Sequence, residues 1–207
     1  MNIIANNSST ITRVAGLAAL LYSSWVLGYM INPRVAVFGA ASELSATGQP
    51  FRGLFIVSDV IAAILMFIVG YLLWIRHNSA YLRMAIAMYV LAGVFIAVAA
   101  NISLLCSPSL EVCDTKAFTD RAMLHNLAGA IASFFIFLNL FFTIQAVTKN
   151  ISIRLKFQIL IIVWGILGLS SLYIPADLLN PAIHAAQQRL FLGLSAYYIW
   201  LSPKLLQ

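Results

Sequence analysis

Two charged side chains stand inside apolar runs that are long enough to cross a membrane. Asp59 lies in the run 53–75, and Arg189 lies in the run 182–201. Because a charge in the hydrocarbon layer is costly, such residues usually face a bundle interior, a partner group or a water-filled cavity. A carboxylate there can orient water or a metal ion, and a guanidinium can hold an anionic headgroup or a developing oxyanion. The sequence therefore predicts that a functional site would be built around Asp59 and Arg189.

Six apolar runs of membrane length make up most of the 207 residues. The chain is 62% hydrophobic and only 9% charged, and the connections between the runs are short. Since every backbone polar group in lipid must be paired within the chain, runs of about 20 residues predict helices. We predict an all-α fold, in which residues 1–207 form a single transmembrane domain, a polytopic bundle of six transmembrane helices. The predicted spans are 14–31, 53–75, 84–106, 122–147, 157–176 and 182–201.

The basic residues predict that both termini are cytoplasmic. Six spans put both termini on one side, and that side holds seven Lys or Arg residues against four in the opposite loops. This excess follows the positive-inside rule. It also accounts for the net charge of +6, and no basic cluster interleaved with aromatic residues indicates nucleic acid as a partner. The seven are Arg13, Arg76, Arg83, Lys149, Arg154, Lys156 and Lys204, and the four are Arg34, Arg52, Lys116 and Arg121.

The acidic residues and the cysteines fit this orientation. Five acidic residues fall in the predicted outer loops, and the sixth, Asp59, lies in the outer half of the second span. Cys106 and Cys113 bracket the third connection, which is also predicted to be outside. Cysteines in an oxidising compartment commonly pair, so we predict a disulfide, whereas free thiols would need further ligands to hold a metal. The five loop acids are Glu43, Glu111, Asp114, Asp120 and Asp177.

Depth along the spans brings several polar side chains to one layer. At 1.5 Å per helical residue, Asp59 lies roughly 9 Å below the outer boundary, Arg189 roughly 10 Å and His125 roughly 5 Å. Because their charges are opposite and their depths match, we predict that Asp59 and Arg189 pair directly or through one water. One outward-opening polar cavity among the second, fourth and sixth spans should collect the candidate binding residues. These are Glu43, Asp59, His125, His184, Gln188 and Arg189.

Each of these side chains also has a structural interpretation. Asp59 and Arg189 can form an ion pair that only pins two helices, and His125 can bond a backbone carbonyl or an interfacial water. His184 lies near the mouth of its helix, where water can solvate it, and Glu43 can be a surface charge. Asp59 and His125 are the candidates for catalysis. A metal held by His125, His184 and a carboxylate is chemically sensible, although the spacing is not diagnostic.

Two further patterns concern helix packing. Gly129 and Ser133 follow His125 at intervals of four residues, with Ala128 and Ala132 beside them. Small residues let membrane helices approach closely, so this stripe predicts a tight helix contact. The tryptophans include candidates for the aromatic belts at the membrane interfaces. They are Trp25, Trp74, Trp164 and Trp200.

Short motifs along most of the chain occur in a recognisable order. They are Ser42-Glu43-Leu44, Gly48-Gln49-Pro50, Leu54-Phe55 with Ser58-Asp59 opening a helix, the loop from Cys106 to Cys113, His125 at a helix head, and Gln188-Arg189 at the head of the last helix. Together they resemble the bacterial membrane family catalogued as domain of unknown function 998. The resemblance implies a six-helix protein of the bacterial inner membrane, and it leaves the activity open.

The sequence leaves two classes of function open. The first is an uncharacterised, non-enzymatic membrane protein, a carrier, sensor or accessory subunit, whose polar site binds a small ligand or a lipid headgroup. The second is an intramembrane hydrolase or transferase, with or without a metal, that acts on a lipid at the outer leaflet. No phosphate-binding loop, zinc-protease motif, serine-hydrolase elbow or CxxC pair indicates a reaction. Beyond the lipid bilayer, the sequence does not predict the cofactor, the protein partners or the oligomeric state.

Overall fold

Helices make up nearly all of the described chain. The computed structural model describes residues 6–110, 113, 116–147, 151–173 and 180–207. These ranges contain eight α-helices, two short 3-10 helices (Ser24–Leu27 and Ala41–Ser45) and no strand, which confirms the all-α prediction. Glu111, Asp114, Lys149 and Asp177 lie outside the described residues. The α-helices are α1 (Asn6–Tyr22), α2 (Gly28–Ile31), α3 (Pro33–Phe38), α4 (Arg52–Trp74), α5 (Ala80–Asn101), α6 (Lys116–Val147), α7 (Ile151–Tyr173) and α8 (Pro181–Leu205).

Three helices are long and apolar enough to cross a membrane, and a fourth span arises if a bent pair is counted as one. The three are α4, α5 and the part of α6 from Thr119 to Val147. The bent pair is Ser8–Tyr22 with Ser24–Ile31, which meet at 43°. The described residues therefore contain three or four candidate spans, as in a multi-pass membrane protein. The six-span count stays a prediction, because α7 has only a shorter apolar part and residues 184–189 make the start of α8 polar.

The break after α1 has a local cause. The hydroxyl of Ser23 donates to the carbonyl oxygen of Ala19, four residues earlier, at 2.9 Å. Such back-bonding by serine competes with the helical ladder and bends helices. The chain then runs through residues 24–50, here called the 24–50 segment, before α4 begins. Within this segment, Asn32 caps α3 by accepting from the amide of Val35.

The buried core lies between the long helices. Its fully buried members come from α1, α4, α5, α6 and α8. α5 contacts α4 and α6, and α8 contacts α1, α4 and α6. α4 and α5 approach closely at Gly93, because a Cβ there would lie 3.2 Å from the Cβ of Met66 and 3.3 Å from the carbonyl oxygen of Ala63. The largest fully buried apolar side chains of this core include Tyr198, Met66, Leu73, Ile86, Leu140 and Ile199.

Several polar side chains inside this core are satisfied within the protein, whereas the hydroxyl of Tyr198 is buried without a partner among the described residues. The amide of Asn139 donates to the carbonyl oxygen of Ala85 at 2.8 Å. The indole of Trp164 donates to Ser195 at 3.0 Å. The hydroxyl of Tyr89 donates to the carbonyl oxygen of Ile199 at 3.0 Å. Pairing of this kind is the rule for buried polar groups, so these side chains are explained by packing alone.

Candidate functional site

A polar cavity lies between α1, the 24–50 segment, α4, α5, α6 and α8. It has a volume of about 170 Å³, which is space for several waters or a small chemical group. It lies near the end of α5, where the disulfide loop (residues 102–110 and Cys113) begins. Its polar lining comes from four parts of the chain, namely the 24–50 segment, α4, α6 and α8. These side chains are Ser24, Ser42, Ser45, Asp59, His125, Asn126, Ser133 and Gln188, and the aromatic ones are Tyr22, Trp25, Phe55 and Phe191.

His125, on α6, is oriented by the end of α5. Its Nδ1 lies 2.9 Å from the carbonyl oxygen of Ala99 and 3.1 Å from that of Ile102. Both oxygens are acceptors, so Nδ1 carries the hydrogen and donates it to them. A donor at this place reinforces the end of α5, where the carbonyl oxygen of Ala99 also accepts from the amide of Ile102 at 3.2 Å. In neutral His125, Nε2 is therefore the nitrogen with a free lone pair.

Asp59 lies on the α4 wall of the same cavity. Among the residues that the structure describes, its carboxylate has no hydrogen-bond or ion-pair partner. A carboxylate in an apolar helix is costly without hydrogen bonds. Water or a bound molecule must therefore supply the donors that the described protein does not.

Arg189 does not reach into the cavity. It is 5% exposed, and its Nη2 donates to the carbonyl oxygens of Val35 at 3.1 Å and Gly39 at 3.0 Å. These oxygens lie at the end of α3, where a positive charge is favoured. Over the described ranges no ion pair joins Arg189 to Asp59, so the direct form of the predicted pair is wrong. A bridge through one water stays a prediction.

Glu43 is buried behind the cavity wall and holds the disulfide loop. One carboxylate oxygen accepts from the amide of Ala40 at 2.7 Å. The other accepts from the hydroxyl of Ser107 at 2.5 Å and from the amide and hydroxyl of Ser109 at 2.9 and 2.7 Å. With 5% of its surface exposed, Glu43 is not a surface charge. It ties the 24–50 segment to the disulfide loop.

Cys106 and Cys113 are bonded to each other, with their Cα atoms 6.1 Å apart. This confirms the predicted disulfide. The loop it closes is also attached to α4 and α6, because Arg52 donates to the hydroxyl of Ser103 at 3.0 Å and Arg121 to the carbonyl oxygen of Ser103 at 2.7 Å. The loop is therefore fixed on both sides of the cavity.

One family model matches most of the chain. It carries the description "Protein of unknown function (DUF998)" and matches residues 14–202. The chain belongs to the DUF998 family. This confirms the resemblance drawn from the short motifs. No curated protein and no solved structure matches the chain.

In this DUF998 protein, three of the six predicted binding residues line one cavity. Asp59, His125 and Gln188 are brought together. Gln188 also accepts from the amide of Ala41 at 2.8 Å, which fixes the 24–50 segment to α8. Glu43, Arg189 and His184 are not among the residues that line this cavity. The reason is that Glu43 and Arg189 bind backbone groups and serines of the surrounding loops instead.

The small-residue stripe of α6 opens onto the cavity. A Cβ added to Gly129 would have no heavy atom within 4 Å, so no neighbouring helix is pressed against it. Ala128 and Ala132, beside the stripe, are buried. Gly129 instead leaves room beside Asp59 and His125. The glycine therefore contributes volume to the cavity.

The sequence did not identify several of the lining residues. Trp25, an interface-belt candidate, lines the cavity, and its indole nitrogen is buried without a hydrogen-bond partner among the described residues. The serines of the 24–50 segment were not predicted, because serine in a loop carries no distinctive signal. Asn126 could have been predicted as a lining residue, because it directly follows His125 in the sequence.

The described residues do not assemble a set of ligands for the metal considered from the sequence. Across the described part of the chain, no group of three or more His, Cys, Asp or Glu side chains is placed to hold a metal ion. His184 lies in the first turn of α8, outside the cavity lining that includes His125. The two histidines are therefore not joined in one site.

Proposed function

We propose that this DUF998 protein is a multi-pass protein of the bacterial inner membrane that binds a small polar molecule or a lipid headgroup in the cavity. The observation that carries the proposal is the Asp59 carboxylate, which lines the cavity without a partner among the described residues. His125 adds a second acceptor, Nε2, on the α6 wall. Two acceptors around one space of about 170 Å³ form a site for a molecule that brings donors.

A comparison with polar side chains elsewhere in the bundle supports a role for Asp59 beyond packing. Asn139, Trp164 and Tyr89 satisfy their polar groups with other parts of the protein. The hydroxyl of Tyr198 is buried without a partner among the described residues, but it is neutral. Asp59 is an acid without such a partner, and an unpaired buried charge costs far more than an unpaired hydroxyl. Unpaired ionisable groups inside membrane bundles commonly mark ligand or ion sites. This contrast favours binding over a purely structural role for the cavity.

The orientation that the charge bias predicts would place the cavity toward the outer face. The disulfide supports it, because such bonds persist in oxidising compartments. In spheroplasts, a membrane-impermeant maleimide should label Cys106 and Cys113 only after treatment with an impermeant reductant. Labelling that requires permeabilisation would reverse the orientation. Labelling without reductant would show that the bond does not form in the cell.

Filling the cavity should abolish binding without unfolding the protein. Gly129→Leu adds a side chain where nothing lies within 4 Å, so it should occupy the space beside Asp59. Leucine is also the better helix former. Gly165→Leu on α7 is the matched control, since that glycine is equally open and lies outside the cavity lining. Native mass spectrometry of protein extracted with its lipids would count the molecules retained by each variant.

The expected result is that wild type and Gly165→Leu retain the same bound species and Gly129→Leu loses one of them. The thermal unfolding midpoint of Gly129→Leu should stay close to that of the control. If all three proteins retain the same species in the same amounts, the cavity is not a binding site. The proposal would then give way to a packing role.

A second candidate function is hydrolysis or group transfer on a lipid, and the geometry of His125 favours it. With Nδ1 held by two carbonyls, Nε2 is available as a general base for water, and Asp59 lines the same cavity. Incubation with membrane lipids distinguishes the two functions. A cleaved lipid that appears with wild type and not with His125→Ala would establish the enzyme. A bound lipid that is recovered unchanged would support binding alone.

A further inference from the structure

The hydrogen-bonding groups of the cavity specify a chemical class of ligand. We infer that the bound molecule carries a primary ammonium group with an oxygen atom close to it, as an ethanolamine group does. The inference rests on the proposed function, since it concerns the same cavity. Free ethanolamine and a lipid with an ethanolamine headgroup share this chemistry, and their binding can be measured separately.

The charge of the cavity favours a cation. Asp59 is the single acidic or basic side chain other than histidine among the lining residues in the described ranges. The guanidinium of Arg189 is turned toward the carbonyl oxygens of Val35 and Gly39 and does not line the cavity. An anionic group would therefore meet an uncompensated carboxylate in a medium of low dielectric constant, where like charges repel strongly. A cation would neutralise it.

The acceptors of the cavity favour a cation that carries N–H bonds. His125 donates through Nδ1, so Nε2 of the neutral ring can only accept. The Asp59 carboxylate likewise accepts. A primary ammonium has three N–H donors and can satisfy both side chains. A trimethylammonium has none, and it would leave both acceptors without hydrogen bonds.

One donor of the cavity calls for an oxygen on the same ligand. The amide of Ala41 donates to Gln188, so the bonded atom is the side-chain oxygen and the NH2 group is left for another acceptor. A hydroxyl or phosphate ester oxygen next to the ammonium would accept from this group. The ligand thus pairs a cationic donor with a neutral or esterified oxygen.

The aromatic side chains strengthen the case for a cation. Tyr22, Trp25 and Phe191 line the same cavity as Asp59. Faces of aromatic rings attract ammonium groups, and the attraction grows when the group is removed from water. An anion gains no such attraction, because the face of an aromatic ring carries negative charge. The aromatic rings and the Asp59 carboxylate therefore both favour a cationic ligand.

Binding should be measured by calorimetry on the full-length protein in detergent. The probes are free ethanolamine and three dihexanoyl phospholipids with ethanolamine, choline and glycerol headgroups. The ethanolamine lipid should bind tightest of the three. Asp59→Asn should weaken that binding by about 30-fold, as expected when one partner of a buried charge pair is truncated. Asp120→Asn is the matched control, because Asp120 is exposed and outside the lining, and it should bind as wild type does.

The outcomes separate the inference from the proposed function. Free ethanolamine that binds as tightly as the lipid assigns a small-molecule ligand, and binding of the lipid alone assigns a headgroup site. If the anionic glycerol lipid binds as tightly or tighter, or if Asp59→Asn strengthens binding, the cavity has a ligand but the ammonium inference is wrong. If no ethanolamine probe binds, the inference is also wrong, while retention of native species by wild type and their loss in Gly129→Leu would still support the cavity as a binding site.

Discussion

Replacing Glu43 with alanine should lower the free energy of unfolding by roughly 3 kcal/mol or more, because hydrogen bonds to a charged group contribute about 1.5–3 kcal/mol each and do not add fully within one network. The carboxylate accepts four hydrogen bonds and is 5% exposed. Its removal leaves the amide of Ala40 and the donors of Ser107 and Ser109 without that acceptor. An SDS titration in mixed micelles, followed by circular dichroism, measures the change.

Two further variants make the Glu43 result specific. Glu43→Gln should recover part of the loss, since an amide oxygen can face Ser107 and Ser109 while its NH2 group opposes the amide of Ala40. Asp120→Ala should be nearly neutral, because that carboxylate is exposed. If Glu43→Ala and Asp120→Ala behave alike, the link between the 24–50 segment and the disulfide loop does not stabilise the protein.

Arg189→Met should cost about 2–3 kcal/mol, the range expected when a buried charged donor is removed from its acceptors. The variant keeps an apolar side chain of similar length, so the loss reports the two bonds to Val35 and Gly39 and the contact of the guanidinium with the Tyr29 ring rather than a cavity. Since the carbonyl oxygen of Val35 also accepts from the amide of Gly39 at 2.9 Å, the oxygen of Gly39 is the one most affected. The same titration gives the value.

The controls for Arg189 address the predicted pair with Asp59. Arg34 lies on α3 and is exposed, so Arg34→Met should change the free energy of unfolding little. In a double-mutant cycle with Asp59→Asn, the two losses should add within about 0.5 kcal/mol, as for side chains that share no partner. A larger coupling would show that Arg189 and Asp59 interact after all, for example through water.

The helices could be predicted because lipid imposes long apolar runs. α6 contains the predicted span 122–147, and α4 covers all but the last residue of 53–75. α5 ends at Asn101, five residues before the predicted end of 84–106. The runs 157–176 and 182–201 fall largely on α7 and α8. The break in the first helix was not predicted. It depends on the back-bond of Ser23, and serine occurs in unbroken helices as well. The number of membrane-spanning helices is harder to predict, because polar residues at the start of α8 lower the hydrophobicity of that helix.

The candidate site was predictable in part, and for a physical reason. Asp59 and His125 are polar residues in apolar helices, and depth along those helices correctly predicts that they share one layer. The partners of Glu43 and Arg189 could not be predicted, because they are mainly backbone amides and carbonyls, which every residue carries. Trp164 is a similar case. It was an interface candidate, yet it is buried and bonded to Ser195.

The most direct test of the ligand site is an experimental structure of the protein purified with its native lipids. We expect non-protein density in the cavity, within hydrogen-bond distance of the Asp59 carboxylate and of Nε2 of His125. The same density should be absent from Gly129→Leu. A wild-type structure in which Asp59 is satisfied by other side chains, or in which water alone fills the cavity at saturating ethanolamine lipid, would rule out the proposed ligand site.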